Sequence, residues 1–476
     1  MKTNHVAKAA LAAGLCSTAV LAQSCSSVLV PAYKAPSVAS GWQAQLVADG
    51  LKKPRSLQFD STGALLLVES GKGLSRITFK DNGGTCLQVD KSTLLVDNTG
   101  LNHGLALSND GKTIYASTVK SVFAFEYDQK TGTVSDNPRV IIDNMSNNDL
   151  VTRTLLVSKK KDGYIVVSRG GTDDLAGATV LSSGLSQIRA FDLSNFTSDS
   201  KPYNFDSSGR VLGWGLRNSV GVAEHPTSGG IYSVENSIDD VTRDGVDIHE
   251  NNPGEELNFH GLLSDPVEGQ PKNYGHPNCF AVWDTAEIGD NDGLAVGKQF
   301  AMTENSTMTD EICAKDFVPP RLTFPPHQAP LDIKFNTDGS VAYVSFHGSF
   351  NKKNPVGYRI SSLTFDPKTG EPTAPITSTD ALSDIMSNPD DNECPENCFR
   401  PAGLTFDSAG RLWLTSDTTG EIYVLQQVTS KGSPTATASG TIVTSTKGPN
   451  SAGVRSTAAL GYAAAVAVVG ALFAVM

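Results

Sequence analysis

A phrase that recurs six times between residues 54 and 414 constrains this chain more than any other feature. Residues 54–68 run as an alternating apolar stretch, a polar turn at Asp60 and Gly63, and a second apolar stretch. The same order returns at 104–116, 152–167, 221–234, 331–344 and 402–414. Alternation with a period of two marks a strand with one buried face, and Asp or Asn followed by Gly supplies the left-handed backbone that a tight reversal needs. Each copy therefore reads as a β-hairpin. A single hairpin cannot bury both its faces, but sheets packed radially can, and such a repeat is how a β-propeller is written in sequence. From about Gly41 to Val428 the units average roughly 65 residues, room for four strands and their loops. The expected fold is all-β, a six-bladed β-propeller. The interval between the fourth and fifth copies is much longer than the rest, so about 239–320 is expected to form one insertion rising from a face of that blade. Residues 42–48 are expected to complete the last blade beside 421–426 and so close the ring.

Composition points the same way. Charged residues are only 18% of the 476, while Gly (44) and Pro (24) are frequent, which favours turns and strands over long solvated helices. Fifty acidic residues against 38 basic ones leave a formal net charge of −12. Such a chain has no broad positive face for phosphates, so nucleic acid is not an expected partner.

The two ends read as addresses. Lys2 precedes an apolar stretch over 7–21 closed by small residues, the order of a secretory signal peptide, so residues 1–22 are expected to be removed after Ala22. Residues 429–457 form a Ser/Thr/Gly-rich linker and 458–476 an apolar tail, with Asn450, Ser451, Ala452 and Gly453 just upstream. That order is a glycosylphosphatidylinositol (GPI) attachment signal, the alternative being a retained single-pass helix. The expected protein is secreted, extracellular and surface-anchored, with 23–428 as its propeller and the C-terminal anchor as its only contact with a membrane. Loss of Cys16 with the signal leaves six cysteines in an oxidising compartment. Proximity favours Cys25 with Cys86, Cys279 with Cys313, and Cys394 with Cys398. Asn144, Asn195 and Asn305 each open a glycosylation sequon.

Propeller sites usually gather at the mouth of the central channel, where loops from every blade converge. The polar residues beside the hairpin starts are Arg55, His103, Asp149 with Arg153, Arg217 with Asn218, His327 with Asp332, and Arg400; His347 follows the second strand of the fifth hairpin. Taken singly, each is equally well a solvated loop residue or a strand cap. Recurrence at equivalent places marks them out. A ring of Arg and His suits an anion with several carboxylates or carbonyls, because guanidinium binds planar acceptors with a fixed fork.

Phrases at 215–219, 252–258, 273–277, 325–330, 347–358 and 399–402 together resemble, in their order, the soluble quinoprotein glucose/sorbosone dehydrogenases, above all the fungal pyrroloquinoline quinone (PQQ)-dependent pyranose dehydrogenases. The resemblance runs from about 41 to 428 and implies the same six-bladed propeller. It also implies that the tricarboxylate PQQ lies flat over the channel mouth, with Ca2+ bridging it to the protein, a sugar as substrate, and a cytochrome, a quinone or a copper enzyme as external electron acceptor. Arg217 and Asn218 match the pair beside the quinone carbonyls, where Arg217 would stabilise charge as hydride arrives. Arg400 matches a carboxylate-binding arginine, and His327 and His347 fall at cofactor-contacting positions. Arg55 and His103 match less closely, and Arg153 is grouped with the cofactor-binding set. Calcium contacts are implied near Glu235, Asn236 and Ser237, largely through backbone oxygens. Asp239, Asp240, Asp244 and Asp247 lack the spacing of an EF-hand loop and read as a solvated acidic loop.

At one place the chain departs from that family. An Asp-His pair before the third hairpin would supply the base for the sugar's anomeric hydroxyl, but here Asp149 is followed by Leu150, which accepts no proton. Losing a general base costs roughly 10² to 10⁴ in rate. Three readings follow: His103 takes over beside Asp149 and Arg217, the local alignment slips, or the protein binds cofactor or sugar without efficient turnover. The leading expectation is a PQQ-dependent sugar dehydrogenase. The alternatives are a non-catalytic surface propeller binding glycans or proteins, and a calcium-dependent lactonase-type hydrolase, which needs a cluster of acidic metal ligands that the sequence does not offer at the channel.

Overall fold

In the computed structural model, which describes residues 25, 28–172, 175–264, 271–288 and 293–428, each recurring phrase folds as the inner hairpin of a blade built on four antiparallel strands, to which three of the six sheets add short outer strands. The innermost strands of the six blades are Pro54–Phe59, Leu101–Leu107, Leu155–Val157, Asn218–Glu224, Pro330–Phe335 and Pro401–Phe406. The hairpin turns reverse through Gly63, Gly111, Gly163, Gly229, Gly339 and Gly410, all with φ between +71° and +82°. Residues with a Cβ rarely hold that conformation, which is why glycine recurs there.

Six apolar clusters fill the six seams between neighbouring blades. At one seam, Leu66, Val68 and Leu74 of the first blade meet Leu105, Ile114 and Phe125 of the second. In the sixth blade Leu412 and Leu414 face the fifth, whereas Trp413 between them faces the first. Alternation along one strand thus serves two seams, as the period-two pattern requires. The ring closes as expected: Trp42–Ala48 pairs antiparallel with Glu421–Gln427 as the outer strand of the sixth blade.

Near the axis the blades are latched by a repeated device. A hydroxyl on the second strand of one blade donates to a carbonyl on, or just before, the inner strand of the next: Ser117 to Arg153 (2.8 Å), Ser345 to Ala402 (2.6 Å) and Thr415 to Arg55 (2.8 Å). Two of these carbonyls are faced by a glycine on the inner strand of the donor's own blade. A Cβ on Gly104 would lie 2.1 Å from the Arg153 carbonyl oxygen, and one on Gly403 would lie 2.3 Å from that of Arg55.

The long interval is not one insertion. Glu255–Leu262 is the third strand of the fourth blade and divides it in two. The two parts share a small core of Val241, Ile248, Phe280, Val282, Ile288 and Phe300. All three expected disulfides are present, Cys25–Cys86, Cys279–Cys313 and Cys394–Cys398. The expected signal peptide, linker and tail lie outside the described residues.

Candidate active site at the channel mouth

Register along the inner strands sets up an asymmetric channel. At one level the first three blades carry Arg55, His103 and Arg153, whereas the last three carry Val220, Leu331 and Ala402, which pack together. The mouth is therefore polar on one side, and its other cations come from strand ends and loops.

Asp417, which follows the second strand of the sixth hairpin, joins four blades. One carboxylate oxygen accepts from Arg55, and the other from His347 Nε2 at 2.8 Å. Arg55 Nε in turn donates to His103 Nδ1 at 3.2 Å. Burial alone would raise the Asp417 carboxyl, but His347 and Arg55 beside it reverse this and hold it far below the usual carboxylate range. Burial pushes His347 down to about 4, so its ring is neutral and donates through Nε2. Among the described residues the Arg400 guanidinium donates only to carbonyls, Nε to His347 O (3.1 Å) and an Nη to Gly348 O (3.2 Å), and it lies 5.7 Å from the Tyr358 ring centre.

On the opposite side Arg217 is anchored from three directions. Its backbone N–H donates to Glu235 at 2.6 Å, one Nη to the Ser237 carbonyl at 2.5 Å, and the other Nη to Asp239 at 2.6 Å. The Asp239 carbonyl accepts from Asn351 at 3.0 Å, which ties this arm to the loop beginning at His347. Behind Arg217 lie three buried carboxylates. Glu235 is raised by burial and by Glu256; burial pushes Glu255 and Glu256 up to about 7 each.

Leu150 forms part of the wall near Asn218. A Cβ on Gly170 would lie 2.7 Å from Leu150 Cβ and 2.9 Å from Asn218 Oδ1, so these groups enclose one strip of backbone. Asp149 beside it is half-buried in the same loop.

Three of the expected assignments fall on groups that already have protein partners. Arg153 does not face a ligand: it has no exposed surface, and its guanidinium donates to the carbonyls of Met145, Leu150 and Thr152 and to Asn147, fastening the loop that carries Leu150. His103 does not suit the role of base, because Arg55 Nε always carries hydrogen and therefore occupies the ring's accepting nitrogen. The residues expected to hold calcium do not fit an ion as they stand. The Ser237 carbonyl is taken by Arg217, the Asn236 amide donates to the Pro330 carbonyl (2.7 Å), and the Glu235 carboxylate receives Arg217, Ser219 and Asn258. Among the described residues no group of three or more His, Cys, Asp or Glu could hold a metal ion.

Sequence reasoning missed Asp417, Glu255 and Glu256, read Asp239 as part of a solvated acidic loop, and gave Glu235 to calcium. Asp417 had a signal: it stands after the sixth hairpin as His347 stands after the fifth. The cavity of about 450 Å³ lined by Leu46, Ala48, Ile77 and Leu87 lies at the seam of the first and last blades, apart from these groups.

Known proteins resemble this chain in sequence and fold. The TrAA12-like family pattern matches residues 36–428. A pyrroloquinoline quinone-dependent sugar dehydrogenase of Hypocrea jecorina is 50% identical over 84% of this chain and 91% of that protein. A pyrroloquinoline quinone-dependent pyranose dehydrogenase of Coprinopsis cinerea is 35% identical over 85% of this chain, which spans only 56% of that relative. Among solved structures, a calcium structure of Trichoderma reesei Carbohydrate-Active Enzymes Family AA12 superposes with a TM-score of 0.82 at 51% identity, covering 84% of this chain and 99% of that one. The holo form of the PQQ domain of the C. cinerea pyranose dehydrogenase gives 0.78 at 34%, with the same coverage.

Proposed function

Because the chain belongs to the TrAA12-like family, we propose that it is a PQQ-dependent sugar dehydrogenase, an oxidoreductase that takes hydride from a pyranose and passes the electrons to an external acceptor. The observation that carries this reading is Arg400, a partly buried guanidinium whose hydrogen bonds go to carbonyls alone, with Arg55 and Arg217 elsewhere on the same mouth. A cation in that setting calls for an anion. The donor set fits a flat tricarboxylate: Arg400 and Arg55 would hold carboxylates, and Arg217 with Asn218 would stand at the quinone oxygens. When bound, the quinone supplies the two-electron acceptor. Arg217, fixed by Asp239 and the Ser237 carbonyl, is preorganised to stabilise negative charge without reorienting. Leu150 and Gly170 give the adjoining wall an apolar strip that excludes water.

Ca2+ enters no step of this reading. The relative solved with calcium supports an ion in the family, but an ion at the Ser237 carbonyl of this chain would displace the Arg217 guanidinium. Secretion is supported by the pairing of all six cysteines from Cys25 to Cys398. GPI anchoring and glycosylation extend the same proposal.

Leu150 favours a second reading, a propeller that binds glycans without turnover. One assay separates the two. Protein reconstituted with PQQ is expected to reduce a dye acceptor on addition of L-fucose, glucosone or D-glucose, and Arg400→Ala is expected to weaken PQQ binding at least about tenfold by fluorescence titration, one charge-assisted hydrogen-bond pair lost. Tight PQQ binding with no sugar-driven reduction would select the glycan-binding reading, and an unchanged PQQ affinity in Arg400→Ala would remove the observation on which the proposal stands.

A further inference from the structure

The dehydrogenase reading needs a proton acceptor that Leu150 cannot be, and the contacts of the mouth histidines locate one. His103 holds its proton on Nε2, because Arg55 fills Nδ1. His276 stands beside the neighbouring backbone, with Nε2 3.5 Å from where a Gly171 Cβ would be. Its Nδ1 is sealed from solvent without a partner, and a buried lone pair costs less than a buried orphan N–H, so its proton is also on Nε2. His347 keeps a lone pair at Nδ1, but that atom is enclosed by protein. His327 differs from all three. Its Nε2 stands 2.6 Å from the His249 carbonyl, which can only accept, so Nε2 carries the hydrogen and Nδ1 the lone pair. Nδ1 is hydrogen-bonded to none of the described residues and is not among the sealed polar atoms.

The position suits the role. His327 has left-handed backbone, φ +61°, unusual for a residue with a side chain. That turn is clamped by Gly348 N–H to the Gln328 carbonyl (3.0 Å), His347 N–H to the Ala329 carbonyl (2.9 Å) and Ala329 N–H to Glu255 (3.1 Å). It runs between the loop start gripped by Arg400 and the arm that holds Arg217 through Asp239. The charged and titratable groups facing the ring are Asp239, Lys352 and His249, whose ring stands edge-on at 5.9 Å.

We propose that His327 is the proton acceptor of the sugar oxidation, taking the hydroxyl proton of the carbon being oxidised onto Nδ1. The O–H bond breaks as an N–H bond forms; the C–H electron pair leaves as hydride to the quinone, and the carbon, two electrons poorer, becomes a carbonyl. The resulting imidazolium keeps its Nε2–H on the His249 carbonyl, and Asp239 offsets its charge. Burial lowers the ring's proton affinity, the His249 carbonyl and Asp239 raise it, and Lys352 and His249 lower it, leaving the ring neutral before reaction.

The test has two arms. In ligand-free protein labelled with 15N-histidine, the His327 ring is expected to show a pyridine-type Nδ1 and a protonated Nε2 at neutral pH; a protonated Nδ1 overturns the proposal whatever the activity. In the PQQ-loaded protein, at saturating PQQ, His327→Gln is expected to lower kcat about 10² to 10⁴-fold and to lose the acid limb of the kcat–pH profile. An unchanged kcat or an unchanged limb overturns it. A wild-type protein that binds PQQ but oxidises no sugar overturns this proposal and the dehydrogenase reading together, whereas wild-type turnover matched by His327→Gln overturns this one alone.

Discussion

At the residue scale, the charge balance of the mouth turns on Asp417. Its two oxygens hold Arg55 and His347 from different blades, so Asp417→Asn keeps the shape but removes the charge. A loss of about 2 to 3 kcal/mol in urea unfolding is expected, the usual cost of leaving buried charged partners unmatched. The pH dependence follows from the same groups. Below 6.5 the unfolded chain protonates histidine, while folded His347, held near 4 by burial, stays neutral. The unfolded state then binds more protons, and ligand-free protein is expected to lose on the order of 3 kcal/mol from this ring between pH 6.5 and 4. Below the ordinary carboxylate range Asp417 adds a second loss, because it remains ionised in the folded state while its unfolded counterpart protonates. Urea midpoints at pH 7, 5 and 4 measure this, and a flat profile would contradict it. Arg55, Arg217 and Arg400 were legible in the sequence because each stands at the start of a recurring hairpin. Asp417 shares its place after a hairpin with His347, but its role was not legible, because its partner Arg55 lies 362 residues away and only closure of the ring joins them.

At the scale of elements, the latch between blades sets the spacing of the mouth. Thr415 donates both to the Arg55 carbonyl and, as acceptor, receives Gly403 N–H, leaving no room for a side chain on Gly403. Gly403→Ala is expected to cost about 2 kcal/mol or more, as overpacking of a close-packed seam does, and to weaken PQQ binding by moving Arg55. Thermal unfolding with a parallel PQQ titration checks both; loss of stability with unchanged PQQ affinity would show that the latch does not position the site. The hairpins were readable because their turns need glycine at positive φ and their strands alternate. Glu255–Leu262 was not, because both its faces are buried and carry the adjacent Glu255 and Glu256, carboxylates that satisfy backbone N–H and amide donors and so erase the alternation. Arg153 misled for a related reason: in register with Arg55 and His103, it turns its guanidinium onto the carbonyls of its own loop.

At the scale of the whole molecule, the ring of six blades brings Arg55, Arg217, Asn218, His327, His347 and Arg400 to one mouth from across most of the chain, and an acidic protein thereby gathers cations where an anionic ligand can bind. The ring and its closure were legible from the repeat alone; the channel's split into a polar and an apolar half was not, because Val220, Leu331 and Ala402 read as ordinary strand residues until they meet at the axis. The central claim is that this mouth holds PQQ and oxidises a sugar there. The most direct measurement is a single-turnover experiment without external acceptor, in which protein saturated with PQQ is mixed with excess sugar and the bound quinone's absorbance is followed. The account predicts one equivalent of quinone reduced per protein, at a rate that His327→Gln slows about 10² to 10⁴-fold; bound quinone left unreduced by every pyranose tested would contradict it.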